Sequence, residues 1–234
     1  MRLAIRVAVA VSLLSSGCSL LGEEGSGVLV TRTFEVAREI THVEIEDSFV
    51  AEVSVGTAPS AAITIDDNLV SMLRVTQDGD TLVLDLDGRV RDATLQANIV
   101  VSGLAAVAAS GASQVSVRGT MSADVVLVAS GSSVIEGAVL DAETLEIDLS
   151  GASRIEASGA ATRIQAQASG ASELLLADVE TDEASVEASG ASSVEVWVND
   201  ELDARASGAS SIAYRGDPPR VIVDSSGSSS VERA

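Results

Sequence analysis

A four-residue phrase, Ser-Gly followed by Ala or Ser and then Ser, recurs seven times in the second half of the chain. Its copies begin 20, 20, 19, 20, 18 and 19 residues apart. A period this short and regular indicates a solenoid in which each repeat forms one coil and stacking of the coils builds the core. The copies start at Ser110, Ser130, Ser150, Ser169, Ser189, Ser207 and Ser226.

The residues on either side of each phrase alternate between apolar and polar. Before Ser150, for example, Leu145, Ile147 and Leu149 alternate with Glu146 and Asp148. This period of two predicts strands with one buried and one solvated face, so each repeat becomes strand, Ser-Gly bend, strand and loose turn. The fourth residue after each glycine is apolar in all seven copies: Val115, Ile135, Ile155, Leu174, Val194, Ile212 and Val231.

The same parity, carried through the phrase, predicts that its glycine and its second serine also point inward. Serine hydroxyls in such a position need hydrogen bonds, either to one another or to the backbone.

These patterns predict an all-β, single-chain parallel β-helix with coils of ~20 residues whose strands lie ~4.8 Å apart. A leucine-rich repeat has a similar period, but its leucine and asparagine spacing is missing. Residues 110–234 form the regular part, and residues 28–109 are expected to form less regular opening coils that cover one end of the stack. Aromatic residues make up 2% of the chain, which fits a narrow core of small and β-branched side chains.

The first residues read as an export signal. Arg2 and Arg6 precede an apolar run over residues 7–14 that is too short to span a bilayer, and small residues lead to Cys18, the one cysteine. This segment resembles a bacterial lipoprotein signal peptide, which implies a signal over residues 1–17, a lipid on Cys18 and a tether over residues 18–27. Ser19 after the cysteine favours the outer membrane. The alternative is an ordinary cleaved signal with an incidental cysteine.

Composition narrows the partners and the chemistry. A net charge of −21 argues against nucleic acid, whose phosphates would be repelled. His42 is the one histidine, so no cluster for zinc or iron exists, and we predict no cofactor and no catalytic residues. Aspartates gather at residues 66–67, 78–80 and 85–87, where turn chemistry is the first interpretation and a calcium site the second.

The order of motifs resembles the bacterial head GIN domain family. Val43-Glu44-Ile45 and Phe49-Val50-Ala51-Glu52-Val53 are followed by Asp66-Asp67-Asn68-Leu69-Val70, by Asp78-Gly79-Asp80-Thr81-Leu82 and then by the Ser-Gly repeats. The resemblance covers about Phe34 to Val231. It implies a parallel β-helix that is exported or lipid-anchored and acts as an adhesin, and it brings no binding residues with it.

Few side chains stand out as ligand contacts. Trp197 and Tyr214 lie in neighbouring coils, with outward and inward parity respectively, and are the candidate contacts for a sugar ring. Outward carboxylates form columns at Glu136, Glu156 and Glu195 and at Asp148 and Glu187, where stacking of like charges is expected to cost stability.

Three functions follow from these observations. The first is a non-catalytic, lipid-anchored surface of the cell envelope that binds an unknown envelope protein or glycan. The second is a structural module that self-associates through its C-terminal coil, which has no evident cap. The third is a polysaccharide-acting enzyme.

Overall fold

The computed structural model describes residues 22–234, so the predicted signal segment, Cys18 and the first part of the tether lie outside the described residues. The described chain is almost entirely β-structure. No helix in this range is long and apolar enough to cross a membrane. One turn of 3₁₀ helix spans Asp67–Leu69. The strands are β1 (Glu23–Glu24), β2 (Leu29–Glu35), β3 (His42–Ile45), β4 (Val50–Val55), β5 (Ser60–Asp66), β6 (Leu73–Asp78), β7 (Thr81–Leu86), β8 (Val90–Arg91), β9 (Leu95–Val101), β10 (Ala106–Ala109), β11 (Gln114–Arg118), β12 (Thr120–Ala129), β13 (Val134–Leu149), β14 (Arg154–Ala168), β15 (Glu173–Ala188), β16 (Ser193–Ala206), β17 (Ser211–Arg215), β18 (Arg220–Ser225) and β19 (Ser230–Arg233).

From β10 onward the coils stack in parallel, each on the one before it. Ile135 lies in register with Ile155, and Leu174 lies in register with Ile155 on one side and with Val194 on the other. All four side chains are buried. The predicted parallel β-helix with coils of about 20 residues is confirmed.

Each long strand bends where two neighbouring residues are both turned outward. In β13, the buried Ile135 and Ala138 flank the exposed Glu136 and Gly137, and the hydrogen-bond register breaks at the same place. A flat strand alternates strictly, so two outward residues in a row mark a convex corner of the wall. A second pair of outward residues, Glu143 and Thr144, lies where the register with β12 shifts, so with the Ser-Gly corner this coil has three flat segments.

The Ser-Gly phrase forms a tight corner. Its seven glycines have φ between +73° and +79°. They lie on the surface, so the predicted inward position of the glycine is wrong: the chain turns there and the strand parity is lost. The second serine is buried, as predicted. In the coil at Ser150, the hydroxyl of Ser153 lies 2.9 Å from the carbonyl oxygen of Ala129 in the preceding coil and 2.6 Å from that of Ser150.

The N-terminal part, over residues 28–109, combines coils with antiparallel strands. Strands β3 and β4 form one coil, but it lies between the β10–β11 coil and a coil made by β7 and β9, so order in space departs from order in the chain. Two further strands then run antiparallel to this last coil: β6 pairs with β7, and β5 pairs with β9. Strand β2 in turn pairs antiparallel with β5, so β2 and β6 form the outer edges at this end of the described stack.

The C-terminal end of the described stack is open. Strand β18 pairs with β16 and strand β19 pairs with β17, each on one side within the described chain. Val221, Ile222 and Val223 of β18 are 40%, 40% and 48% exposed.

Candidate binding face

The structure separates the two aromatic residues singled out from the sequence. Trp197 lies between the buried Val196 and Val198 in β16, so it points outward, where it is partly buried and in register with Arg215. Tyr214 is in register with Val196, so it points inward and packs against the core. The two rings leave opposite sides of the wall and do not form a shared platform.

A continuous outward column runs along the strands that precede the Ser-Gly corners. We call the outer surface of these strands the first face. Its segments are β10, the last residues of β12 to β16, and β18. The column two places before each corner reads Asp148, Gln167, Glu187, Arg205 and Asp224.

Three neighbouring depressions lie along the first face. One of about 260 Å³ is bordered by Gln167, Glu187 and Arg205. A second, of about 220 Å³, shares Gln167 and Glu187 with the first. A third, of about 310 Å³, shares Gln165 and Ser185 with the second. The first depression forms where the first serines of successive corners, which are small, lie beside a column of long polar side chains. The serines that border the first depression are Ser169, Ser189, Ser207 and Ser226.

Carboxylates on the first face are interleaved with amide and guanidinium groups. Arg205 lies 3.0 Å from Glu187 (Nη1 to Oε1) and 2.8 Å from Asp203 (Nη2 to Oδ2). Gln167 separates Asp148 from Glu187. The expected column of stacked like charges is thus broken up, and its cost is reduced, because each neighbouring pair differs in charge.

A second outward column follows the corners and shows the same arrangement. Leu175 lies between Glu156 and Glu195. Arg154 contacts both Glu156 and Glu173, and the hydrogen bond to Glu156 is the main reason why the pKa of Arg154 is raised. These exposed ion pairs contribute little stability each, typically ~0.2–1 kcal/mol.

One carboxylate oxygen on the first face lacks a partner. Asp203 uses Oδ2 to accept from Arg205, but its Oδ1 is buried and accepts no hydrogen bond from the described residues. A buried acceptor without a donor is costly, so a water molecule or a ligand hydroxyl is expected there. Asp203 borders the third depression.

The groups needed for metal binding or serine catalysis are not brought together in the described chain. In residues 22–234, no three His, Cys, Asp or Glu side chains are grouped so that they could hold a metal ion. His42 lies 3.2 Å from Asp80 and 3.0 Å from the hydroxyl of Thr41. The buried serines of the corners donate to backbone carbonyls, as in Ser133 and Ser192. Their role is structural.

The family follows from a comparison with known families. The model described as "Putative auto-transporter adhesin, head GIN domain" matches residues 39–218. The chain belongs to the head GIN domain family. The match spans both the covered N-terminal coils and most of the Ser-Gly stack, and it confirms the resemblance seen in the order of the motifs. No curated protein gives a significant sequence match to this head GIN chain.

Several solved structures share the fold. A "putative adhesin" from Bacteroides fragilis has a TM-score of 0.81 at 18% identity and aligns over 91% of this chain and 100% of its own. A "putative adhesin" from Parabacteroides merdae has a TM-score of 0.72 at 17% identity over 90% and 98%. A "Putative lipid binding protein" from Parabacteroides distasonis has a TM-score of 0.67 at 19% identity over 90% and 98%. At these identities the likeness establishes the head GIN fold.

Sequence reasoning named the acidic members of the first face but missed the depressions. The sequence does contain one indication of this face: two places before the repeats, Gln167 and Arg205 alternate with carboxylates. The first depression also needs the neighbouring serine column to lie lower than the long side chains. That difference in height depends on how sharply the Ser-Gly corner turns.

Proposed function

We propose that this head GIN domain protein is an exported, lipid-anchored binding protein of the outer membrane that recognises a glycan with its first face. The observation that supports this proposal is the row of polar depressions along one side of a rigid stack. The adhesin description of the family agrees with a role in binding at the cell surface.

The chemistry of the first face suits sugar hydroxyls. Carboxylate, amide and guanidinium groups present fixed donors and acceptors, and planar groups of this kind can bond two neighbouring hydroxyls at once. Asp203 adds a buried acceptor that needs a donor. A polar side chain of the column recurs every ~4.8 Å along the stack, so an extended polymer can contact several successive coils.

The charge of the face selects among glycans. Asp148, Glu187 and Asp224 outnumber Arg205 in the main column. The whole chain carries a net charge of −21, so a polyanionic glycan is repelled. A neutral or basic polysaccharide is the expected ligand.

Retention of labelled, neutral polysaccharides by the full chain tests the glycan proposal. Gln167→Ala in the first face is expected to weaken retention about tenfold, the equivalent of one lost hydrogen bond of ~1.4 kcal/mol. Gln114→Ala is the matched control, because Gln114 is an exposed glutamine on β11, outside the depressions. Equal retention by both variants, or retention of an envelope protein in place of any glycan, would contradict the proposal. Release of new reducing ends would indicate an enzyme instead.

Lipid anchoring has a separate test. The Cys18→Ala variant of the full chain is expected to leave the detergent-rich phase in a phase-separation experiment, because the acyl chains supply most of the membrane affinity, ~0.8 kcal/mol per buried CH₂. Equal partitioning of the variant and the parent chain would defeat the anchoring part and leave the glycan part intact.

A further inference from the structure

The last coil of the described stack carries two strand edges with open hydrogen-bonding sides. Strand β18 pairs on one side with residues 201–206 of β16, and β19 pairs on one side with β17. Backbone N–H and C=O groups on the other side of each strand are directed along the stack axis. Such edges template the pairing of a further strand.

Apolar side chains lie at this open end. Val221 and Val223 continue the inward columns of Leu202 and Ala204, yet they are 40% and 48% exposed because no coil covers them within the described chain. Ile222, between them, points outward and is 40% exposed. Three consecutive exposed aliphatic residues on an open edge favour burial against a further strand.

We propose that two copies of this chain join end to end through β18, related by a two-fold axis that passes between the two Ile222 residues. Opposite residues of an antiparallel pair point to the same side, so this axis sets Val221 against the partner's Val223 and keeps both in the core. It also sets Arg220 against the partner's Asp224 and Asp224 against the partner's Arg220. Strand β18 is thus complementary to a second copy of itself: apolar side chains meet apolar side chains, and each charge meets its opposite.

The charge pattern selects this register. With the axis at Ile222, both charged residues of β18 face an opposite charge. A shift by one residue would place inward side chains against outward ones, so core columns would meet polar columns. Antiparallel pairing about a two-fold axis is an isologous contact, which closes after two copies.

The opposite end of the stack is built from antiparallel strands, unlike the parallel ladders of the open end. There, β6 covers β7, β5 covers β9 and β2 covers β5, which leaves β2 and β6 as the outer edges of the described chain. Closure at two copies follows from the two-fold contact itself, in which each copy uses its β18 edge once.

The dimer also extends the proposed glycan site, although it does not depend on it. Asp224 and Ser226 border the depression of about 260 Å³, which reaches the last coil. Because the axis leaves through the first face, the depressions of both copies form one row across the contact. A polymer then spans both copies, which raises its apparent affinity without new contacts.

Cysteine cross-linking tests the register directly. In the full chain with Cys18→Ala, Ile222→Cys supplies the one thiol, and the axis places it opposite its own copy at ~4.5–5.5 Å between Cα atoms, within the range for a disulfide. With copper–phenanthroline as oxidant, a covalent dimer of twice 23.7 kDa is expected. Val223→Cys is the register control and Val139→Cys, an exposed position on the side of the stack, is the surface control. Cross-linking of Ile222→Cys no faster than of these controls overturns the proposal.

Charge exchange gives an independent test by sedimentation of the full chain in detergent. Asp224→Arg sets Arg220 against a like charge and is expected to weaken the dimer at least about tenfold. The double variant Arg220→Asp, Asp224→Arg restores the complement and should recover the dimer. A monomeric mass at every concentration, or an open-ended series of larger species, contradicts the two-fold contact. Absence of glycan retention by the parent chain, with its dimer intact, would refute the glycan proposal alone.

Discussion

The coil made by β3 and β4 and the coils of the Ser-Gly stack lie in the same ladders, but they build the corner differently. Register aligns Glu46, Asp47, Ser48 and Phe49 with the phrase that begins at Ser110. Asp47 therefore occupies the place of the glycine and has φ +64°, the same left-handed region. Phe49 occupies the place of the buried second serine.

The coil that lies next to each corner explains why the stack needs glycine where the β3–β4 coil has Asp47. In the stack, the next residue after each glycine donates its N–H to the glycine carbonyl of the preceding coil, for example from Ala191 to Gly170 at 2.7 Å. Two corners so close leave no space for a side chain. Asp47 faces the β7–β9 coil, which has no Ser-Gly corner, and its carboxylate accepts the N–H of Leu86 at 2.7 Å. Glycine is therefore required mainly because one corner stacks directly on the next, and less because the chain bends there.

The largest expected effect comes from giving the N-terminal coil the residue of the stack. Phe49 is fully buried. Phe49→Ser should lower the free energy of unfolding by about 4 kcal/mol or more, because the ring's cavity stays and a hydroxyl is buried in it. Phe49→Leu, which keeps most of the apolar volume, should cost about 1.5 kcal/mol. Chemical denaturation of both variants measures the gap. If Phe49→Ser and Phe49→Leu cost the same free energy, the space beside residue 49 would be no larger than the space beside the buried serines of the stack.

The second effect separates crowding from backbone conformation. Gly190 has φ +76°, and a Cβ placed there would lie 2.6 Å from the carbonyl oxygen of Gly170. Gly190→Ala should destabilise the protein by about 3 kcal/mol, of which ~1–2 kcal/mol is the left-handed conformation and the rest is the clash. Gly27, at φ +78°, has nothing within 4 Å of such a Cβ. Gly27→Ala isolates the conformational part, and a cost equal to that of Gly190→Ala would contradict the crowding argument.

The third effect concerns the serine that replaces the aromatic ring in the stack. Ser153→Ala removes the hydroxyl that bonds the carbonyls of Ala129 and Ser150. A cost of ~1–2 kcal/mol is expected, because a hydroxyl has one proton to donate and the Ala129 carbonyl also accepts the N–H of Ser150 at 3.0 Å. Ser132→Ala, at an exposed corner position, should change stability by less than ~0.5 kcal/mol. Thermal denaturation distinguishes the two variants. Equal melting temperatures would show that the buried corner serines do not stabilise the stack.

The regular stack was predictable because it depends on local pattern. Period-two alternation located the buried Ile135, Ile155 and Val194, and the interval of about 20 residues gave the coil. The inward glycine was wrong because parity holds only along a flat strand, and no periodicity shows where the chain turns left-handed.

The N-terminal end was less predictable because its arrangement depends on contacts between distant residues. Nothing in the alternation of β5 and β6 shows that they run antiparallel to β9 and β7, since both arrangements alternate in the same way. The position of the β3–β4 coil between two later coils has no local signal either. The carboxylates of the first face could be predicted from the sequence. Its depressions could not, because they depend on how side chains of neighbouring coils lie beside one another.

The smallest effect tests what replaces the first serine of the corner. Glu46 stands in that place, and burial, followed by the charges of Asp85, Asp47 and Glu44, raises the pKa of its carboxyl above the usual value. A raised pKa means that the folded state holds the proton more tightly than the unfolded state does. The stability contributed by Glu46 is therefore present at low pH and is lost as pH rises through the raised pKa.

Glu46→Gln removes this ionisation and keeps the shape of the side chain. The variant should be more stable than the parent by up to ~0.5 kcal/mol at pH 7, since Glu46 is largely solvent-exposed, and the gain should vanish below about pH 4, where the parent carboxyl is protonated. Glu143→Gln, at an exposed position on β13, serves as the control for the substitution itself. A loss of stability at pH 7 would mean that the carboxylate is favourable at this corner. The coil would then differ from the stack in having its own anionic interaction, and not merely in lacking the serine.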